Sequence, residues 1–316
     1  MKNSVEKCNG DNAHGMIADL KALAGTMRLQ FLVLTPAVML LGLATAYWKE
    51  RDQVSLPLFF LALAGGICAH ISVNALNEYS DFNTGLDSHT KRTPFSGGSG
   101  SLQARPDLAD NALRLGVAAA LFTVATGLFF AMQRGWGLLP LIIAGILVVS
   151  AYTPLLTHNP LACLAAPGLG FGILVMGTHF VLTGHYDMTG FTASMVVFFL
   201  VNDLLLLNQF PDVEADRITG RLHFPIAIGR KKSAWIYTIQ LGLAYLVIIA
   251  GVTAGWLPSM GLLGLVTIPV AVSTAKGAVK YADDMDRLLP YLGKNVFINL
   301  ATPVLLATGL ILDAVI

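Results

Sequence analysis

Two short segments of this 316-residue chain have the residue types and spacing to bind a metal. The first runs Asn77-Glu-Tyr79-Ser-Asp81-Phe-Asn-Thr-Gly85-Leu-Asp87, the second Asn208-Gln-Phe-Pro-Asp212-Val-Glu-Ala-Asp216. Each opens on Asn, has an aromatic two residues on and Asp four residues on, and an offset of 131 residues relates both the Asn and the Asp positions. Helical periodicity places His70, Asn74, Asn77 and Asp81 on one face of one helix, and Asn208, Asp212 and Asp216 on one face of another. A solvated helix end with Asx capping would explain a single stripe of this kind. Two in the same register, with no basic residue inside either, repel themselves and call for a cation. An all-oxygen ligand set from Asp and Asn, with no His or Cys cluster beside it, favours Mg²⁺ over zinc or copper. Mg²⁺ held by a few carboxylates shares its remaining positions with substrate phosphate. Lys91, Arg92 and Arg221 stand close enough in sequence to meet a diphosphate, and Ser96-Gly-Gly-Ser-Gly100 offers backbone N–H groups to an anion.

The elements that must carry these stripes are membrane helices. The chain is 55% hydrophobic and 12% charged, about half the charge of a soluble domain. Lys and Arg number 20 against 19 Asp and Glu, which leaves no basic excess for nucleic acid. Continuous apolar runs, rather than the alternation of barrel strands, predict an all-α polytopic membrane protein with nine transmembrane helices. They fall near 29–47, 54–76, 110–132, 137–154, 161–183, 190–209, 233–253, 257–275 and 295–314. Residues 1–28 read as a cytoplasmic segment without the apolar core of a signal peptide, and 29–316 as one transmembrane domain. With the N-terminus cytoplasmic, 17 of the 20 basic residues fall on the cytoplasmic side, as the positive-inside rule expects. Both motifs then lie at that same face, four helices apart. This predicts two related halves of four helices plus a ninth. Cys8, Cys68 and Cys163 form no CxxC pair and read as packing residues.

Asn74-x-x-Asn77-Glu-Tyr79-x-Asp81-x-x-x-Gly85-x-Asp87, with Asn208-x-x-x-Asp212-x-Glu-x-Asp216-Arg-x-x-Gly220, resembles the paired aspartate-rich motifs of the UbiA superfamily of intramembrane prenyltransferases. Asn74, Tyr79, Gly85 and the Asp-x-Glu-x-Asp form are most similar to the 1,4-dihydroxy-2-naphthoate prenyltransferases of menaquinone synthesis. The resemblance covers nearly the whole chain, including Tyr152-Thr-Pro at the end of helix 4. It departs at Glu78, where the family usually has Asp, at the absence of a basic residue shortly after Tyr152, and in the 93–100 segment. The resemblance implies two Mg²⁺ ions held by Asn77, Asp81, Asp87, Asn208, Asp212 and Asp216. It also implies a polyprenyl diphosphate donor, an aromatic acceptor, and reaction in the cell membrane at its cytoplasmic face. Asn77, Asp81, Asn208 and Asp212 would be the catalytic set. Tyr79, Phe82, Tyr152 and Phe210 are candidates for the wall around an allylic cation.

Three further residues need separate readings. Asp203 is an acidic residue well inside a span, nine residues from Asp212 and on the far side of the helix. It either pairs with another helix or orients the acceptor. His70 extends the first stripe inward, towards acceptor or prenyl chain, unless it simply bonds between helices. His179 falls near the opposite face and reads as structural. A cation-coupled transporter also uses internal repeats and intramembrane carboxylates, but there they would lie at the midplane rather than clustered at one face.

Overall fold

A computed structural model describes residues 18–86 and 93–316, and in these it contains helices and 3₁₀ turns with no strand. The main helices are α1 (Leu34–Glu50), α2 (Leu56–Thr84), α3 (Ala109–Arg134), α4 (Leu139–Ala151), α5 (Pro160–Thr183), α6 (Met188–Asn208), α7 (Arg230–Thr253), α8 (Ile268–Lys280) and α9 (Met285–Val315). Among the described residues eight helical stretches are long and apolar enough to cross a membrane, and Trp136–Ala151, the fourth expected span, is a shorter apolar helix. Its 16 residues reach about 24 Å at 1.5 Å per residue, short of a bilayer core of about 30 Å. The chain enters it through Gly135, whose φ of 111° only glycine adopts readily, and leaves at Tyr152-Thr-Pro154, where proline disfavours further helix.

Local chemistry sets the boundaries. Proline occupies the first turn of α2, α4, α5 and α8, where its missing N–H costs nothing. Asn159, Asp187 and Asp284 cap α5, α6 and α9 by accepting backbone N–H groups. Two close helix contacts need glycine. A Cβ on Gly168 would lie 2.1 Å from the Phe198 carbonyl, and one on Gly309 2.1 Å from that of Met260. Small residues at such crossings let backbones approach, which is how membrane helices gain packing energy without a hydrophobic driving force.

The most enclosed span is α6, which packs on α1, α5, α7 and α9. Leu200, Leu206 and Leu207 on it are fully buried. Outward, Leu121, Met132, Leu147, Ile239 and Leu246 are exposed, as lipid contact requires. One expectation needs correction. The second stripe does not lie on a continuous helix, because α6 stops at Asn208 and the chain turns through Pro211 before the short helix Val213–Ile218. Proline removes an N–H and clashes with the preceding turn. The first stripe has no such break, and α2 runs on to Thr84 until Gly85 caps it with φ 72°.

Candidate active site

The ends of α2 and α6 meet at a cavity of about 190 Å³. His70, Asn74, Asn77 and Asp81 line it from α2; Asn208, Asp212 and Asp216 line it from the end of α6 and the turn beyond. Despite the broken helix, the two motifs face one another. Arg230, the first residue of α7, holds the intervening turn by donating from Nε to the Phe210 carbonyl at 2.9 Å.

Arg221 joins the motifs directly. Its Nη2 contacts Asp81 Oδ1 and its Nη1 donates to Asp216 Oδ1 at 3.1 Å. The Arg221 backbone N–H bonds the Asp216 carbonyl at 3.0 Å, and the next N–H, from Leu222, bonds the Thr157 carbonyl at 2.8 Å. The guanidinium is therefore placed by its own main chain. On the other side of Asp216, His223 Nε2 lies 3.0 Å from Oδ2.

Other motif oxygens have no such partner. Asn208 Oδ1 and Asp212 Oδ1 are buried and make no hydrogen bond. Two enclosed acceptors beside the cavity, next to further carboxylates, are what a hard divalent cation needs. Mg²⁺ fits this donor set. Burial, followed by the neighbouring Asp216 charge, pushes the Asp212 carboxyl up to about 7. Asn77 donates its amide to Thr153 Oγ1 at 3.3 Å, which leaves its carbonyl oxygen for another partner.

Asn74 and Glu78 serve the architecture around the cavity. Asn74 Nδ2 donates to the Met27 carbonyl at 2.9 Å, fixing the turn that delivers Arg28 to the cavity. Glu78 is 0% exposed and absent from the cavity lining. It accepts from Arg28 Nε at 2.7 Å, from Ser99 N–H at 2.8 Å and from Ser99 Oγ at 2.7 Å. The glycine-rich segment is tied to α2 through this carboxylate, and its Ser96, Gly97 and Gly98 line the cavity. Thr93 Oγ1 accepts from the N–H groups of Phe95 and Ser96 at 3.1 and 3.0 Å, closing the loop on itself. Gly97 and Gly98 have φ of 89° and 70°, a backbone that other residues enter at a cost.

The apolar wall comes from elsewhere than the sequence neighbourhood suggested. Of Tyr79, Phe82, Tyr152 and Phe210, only Tyr152 lines the cavity; Phe31, Phe95 and Phe171 supply the other aromatic faces. Phe210 is wholly buried in the core, and Phe82 packs against Leu102, Leu108 and Ala112. His70 bonds Thr35 Oγ1 through Nδ1 at 2.9 Å and meets Phe171 edge-on at 5.2 Å. Asp87, Lys91 and Arg92 lie outside the described residues.

Asp203 also lies outside the cavity lining. It is 0% exposed, and neither carboxylate oxygen has a hydrogen-bond partner. Only its main-chain carbonyl is engaged there, by Asn295 Nδ2 at 3.2 Å. The side chain therefore makes no hydrogen bond to a partner helix and stands off the cavity lining. Asp203→Asn is expected to leave kcat within about twofold, since it keeps the side-chain shape while removing an unpaired buried acid. A steady-state comparison of the two purified proteins checks this, and a tenfold loss would give Asp203 a direct role.

Comparison with known proteins adds to this geometry. The model of the UbiA prenyltransferase family matches residues 36–300. A 1,4-dihydroxy-2-naphthoate octaprenyltransferase of Bacillus subtilis is 26% identical over 260 residues, covering 79% of this chain and 80% of that protein. The structure of a UbiA homolog from Aeropyrum pernix superposes with a TM-score of 0.67 at 18% identity, covering 90% of this chain and 98% of that one. A UbiA homolog from Archaeoglobus fulgidus, solved with DMAPP and Mg²⁺ bound, superposes with a TM-score of 0.58 at 11% identity, covering 90% and 99%.

Proposed function

The chain belongs to the UbiA prenyltransferase family, and on that premise we propose that it transfers a polyprenyl group from its diphosphate to 1,4-dihydroxy-2-naphthoate in an Mg²⁺-dependent reaction. The observation that carries this reading is the pair of Asp/Asn motifs facing across one cavity, with Asn208 Oδ1 and Asp212 Oδ1 buried and unpartnered. The naphthoate acceptor is supported by similarity to the Bacillus subtilis octaprenyltransferase.

In this reading Asn77, Asp81, Asp87, Asn208, Asp212 and Asp216 hold Mg²⁺. The bound metal supplies Lewis-acid neutralisation of the charge that develops on the departing diphosphate. Arg221, together with Lys91 and Arg92 from the segment after the first motif, adds fixed positive charge towards the same oxygens. Ser96, Gly97 and Gly98 close the polar end. The C–O bond of the donor breaks, its electron pair leaving with the diphosphate. Tyr152, Phe31 and Phe171 present π-faces to the allylic cation and keep water from it. Attack by the electron-rich ring forms the C–C bond, and loss of a proton or of CO₂ restores aromaticity. Leu34, Leu204 and Leu300 line the apolar part of the cavity, which suits an isoprenoid chain. His70 stands where that chain or the acceptor would pass. The motif face is cytoplasmic in this proposal, with the N-terminus on the same side of the cell membrane, because the basic residues concentrate there.

The test supplies membranes containing the protein with labelled polyprenyl diphosphate, Mg²⁺ and a panel of aromatic acceptors. Labelled lipid product is expected with the dihydroxynaphthoate and is expected to vanish in EDTA. A different acceptor giving the product would refute the naphthoate assignment, and no product with any acceptor would refute the reading as a whole.

Metal binding should also depend on pH. The Asp212 carboxyl, raised to about 7, is mostly protonated at pH 6 and mostly ionised at pH 8. Because the ligating form is the carboxylate, apparent Mg²⁺ affinity should rise with pH up to about 7 and then level off. Between pH 6 and pH 8 the expected gain is about tenfold. Mg²⁺ titrations of the reaction rate at the two pH values measure it, and Asp212→Asn should flatten the dependence.

A further inference from the structure

The turn between α5 and α6 lies at the opposite end of both helices from the cavity, about 30 Å away by the rise of α6. Here His179, His185 and Asp187 place one potential ligand atom each within 4.8 Å of the others. The hydrogen bonds around them are met by one proton arrangement of the two rings. Thr45 Oγ1 lies 2.7 Å from the Gly42 carbonyl and 3.1 Å from His179 Nδ1; with its one proton on the shorter, carbonyl bond it accepts from the ring. His185 Nδ1 faces the Thr183 carbonyl at 3.3 Å and must also donate. In the neutral rings both Nε2 atoms then present bare lone pairs.

His179 Nε2 is buried, makes no hydrogen bond, and lies 3.2 Å from Asp187 Oδ1. A lone pair facing a carboxylate oxygen at that distance is repulsive unless the ring gains a second proton or a cation sits beside both. Asp187 cannot swing away cheaply, because Oδ1 also caps α6 by accepting from Gly190 N–H at 2.8 Å. Lys49 Nζ approaches the other oxygen, Oδ2, at 3.8 Å. Histidines that ligate metals characteristically donate their second nitrogen to an oxygen acceptor, and both histidines do so here.

We propose that His179, His185 and Asp187 form a site for a divalent transition metal of zinc-like chemistry, at the membrane face opposite the prenyl-transfer cavity. Two imidazoles and one carboxylate suit Zn²⁺ better than the hard Mg²⁺ of the aspartate motifs. A fourth position remains for water. His185 is exposed, so its ring can pivot about its Nδ1 bond to Thr183 towards the separation of about 3.3 Å between ligand atoms in a tetrahedral zinc site. The metal fastens the end of α5 to the start of α6 and, through Thr45, stiffens their contact with α1. Its role is structural and does not depend on the identity of the prenyl acceptor.

The full-length protein in detergent, stripped with a chelator, is titrated with Co²⁺ as an optical probe and then with Zn²⁺. One equivalent of Co²⁺ should give the visible bands of a four-coordinate site, Zn²⁺ should displace it, and the melting temperature should rise. His185→Gln alters an exposed side chain, and Asp187→Asn retains the oxygen that caps α6. Each should weaken zinc binding about tenfold or more and remove the thermal shift. Paired Asp81→Asn and Asp212→Asn substitutions should change neither readout. Three outcomes would overturn the proposal: no uptake at micromolar metal, uptake unaffected by both turn variants, or uptake lost only with the aspartate-motif variant.

Discussion

Asp81→Ala is expected to lower kcat/KM for prenyl transfer by about 10³-fold while leaving the protein folded. Asp81 projects from an unbroken α2 into the cavity and faces Asp216 across it. Arg221 contacts both carboxylates, so after the substitution it keeps its 3.1 Å bond to Asp216 and is not left as an unpaired buried charge. Its main-chain tie to Asp216 is also unaffected. The loss should therefore fall on the chemical step and on Mg²⁺ dependence rather than on stability. Asp81→Asn sharpens the point, since it keeps shape and hydrogen-bonding capacity but removes the charge a divalent ion needs. It should lose nearly as much activity, with a higher Mg²⁺ requirement. Melting curves alongside steady-state kinetics separate the two possibilities. Activity within tenfold of the parent would remove Asp81 from the metal set.

Much of this arrangement was legible in the residues because it rests on local patterns. The apolar runs predicted helices that the structure contains, although α2 runs on to Thr84, eight residues past its expected end, and α9 begins at Met285, ten residues before its expected start; the register of α2 put Asn77 and Asp81 on one side without knowledge of any neighbour. What periodicity could not carry was anything depending on long-range contact or on a single break. Pro211 interrupts the second stripe, and only tertiary packing, including Arg230 on the Phe210 carbonyl, brings Asp212 and Asp216 back to the cavity. The aromatic wall shows the same limit. Phe82 and Phe210 are adjacent to the motifs in sequence yet face other packing, whereas Phe31 and Phe171 arrive from elements more than 30 residues away. Arg28 had no local signal beyond its charge. Its left-handed backbone, φ 52°, marks the turn that aims it at Glu78 and the cavity.

Glu78→Ala is expected to reduce kcat/KM about 10²-fold by releasing the glycine-rich loop, although Glu78 faces away from the cavity. Its carboxylate is wholly buried and accepts three hydrogen bonds, one from Arg28 and two from Ser99. Removing it leaves the Arg28 guanidinium and the Ser99 N–H without their acceptor, and breaking a buried pair in this way costs on the order of 3 kcal/mol. The loop beyond loses its anchor on α2, so Ser96, Gly97 and Gly98 no longer hold a fixed position at the polar end of the cavity. KM for the diphosphate should rise more than kcat falls, which separates positioning from chemistry. Glu78→Asp tests the length of the tie. A carboxylate one methylene shorter on the same helix cannot reach both Ser99 and Arg28 at the distances observed, so it should recover only part of the loss. Ser99→Ala, which removes one of the three bonds and keeps the backbone N–H, should fall between parent and Glu78→Ala. Kinetics of the three variants with a single prenyl diphosphate decide the matter. If Glu78→Ala raised KM no more than Ser99→Ala does, the loop would be held by its own Thr93 turn, and Glu78 would serve Arg28 alone.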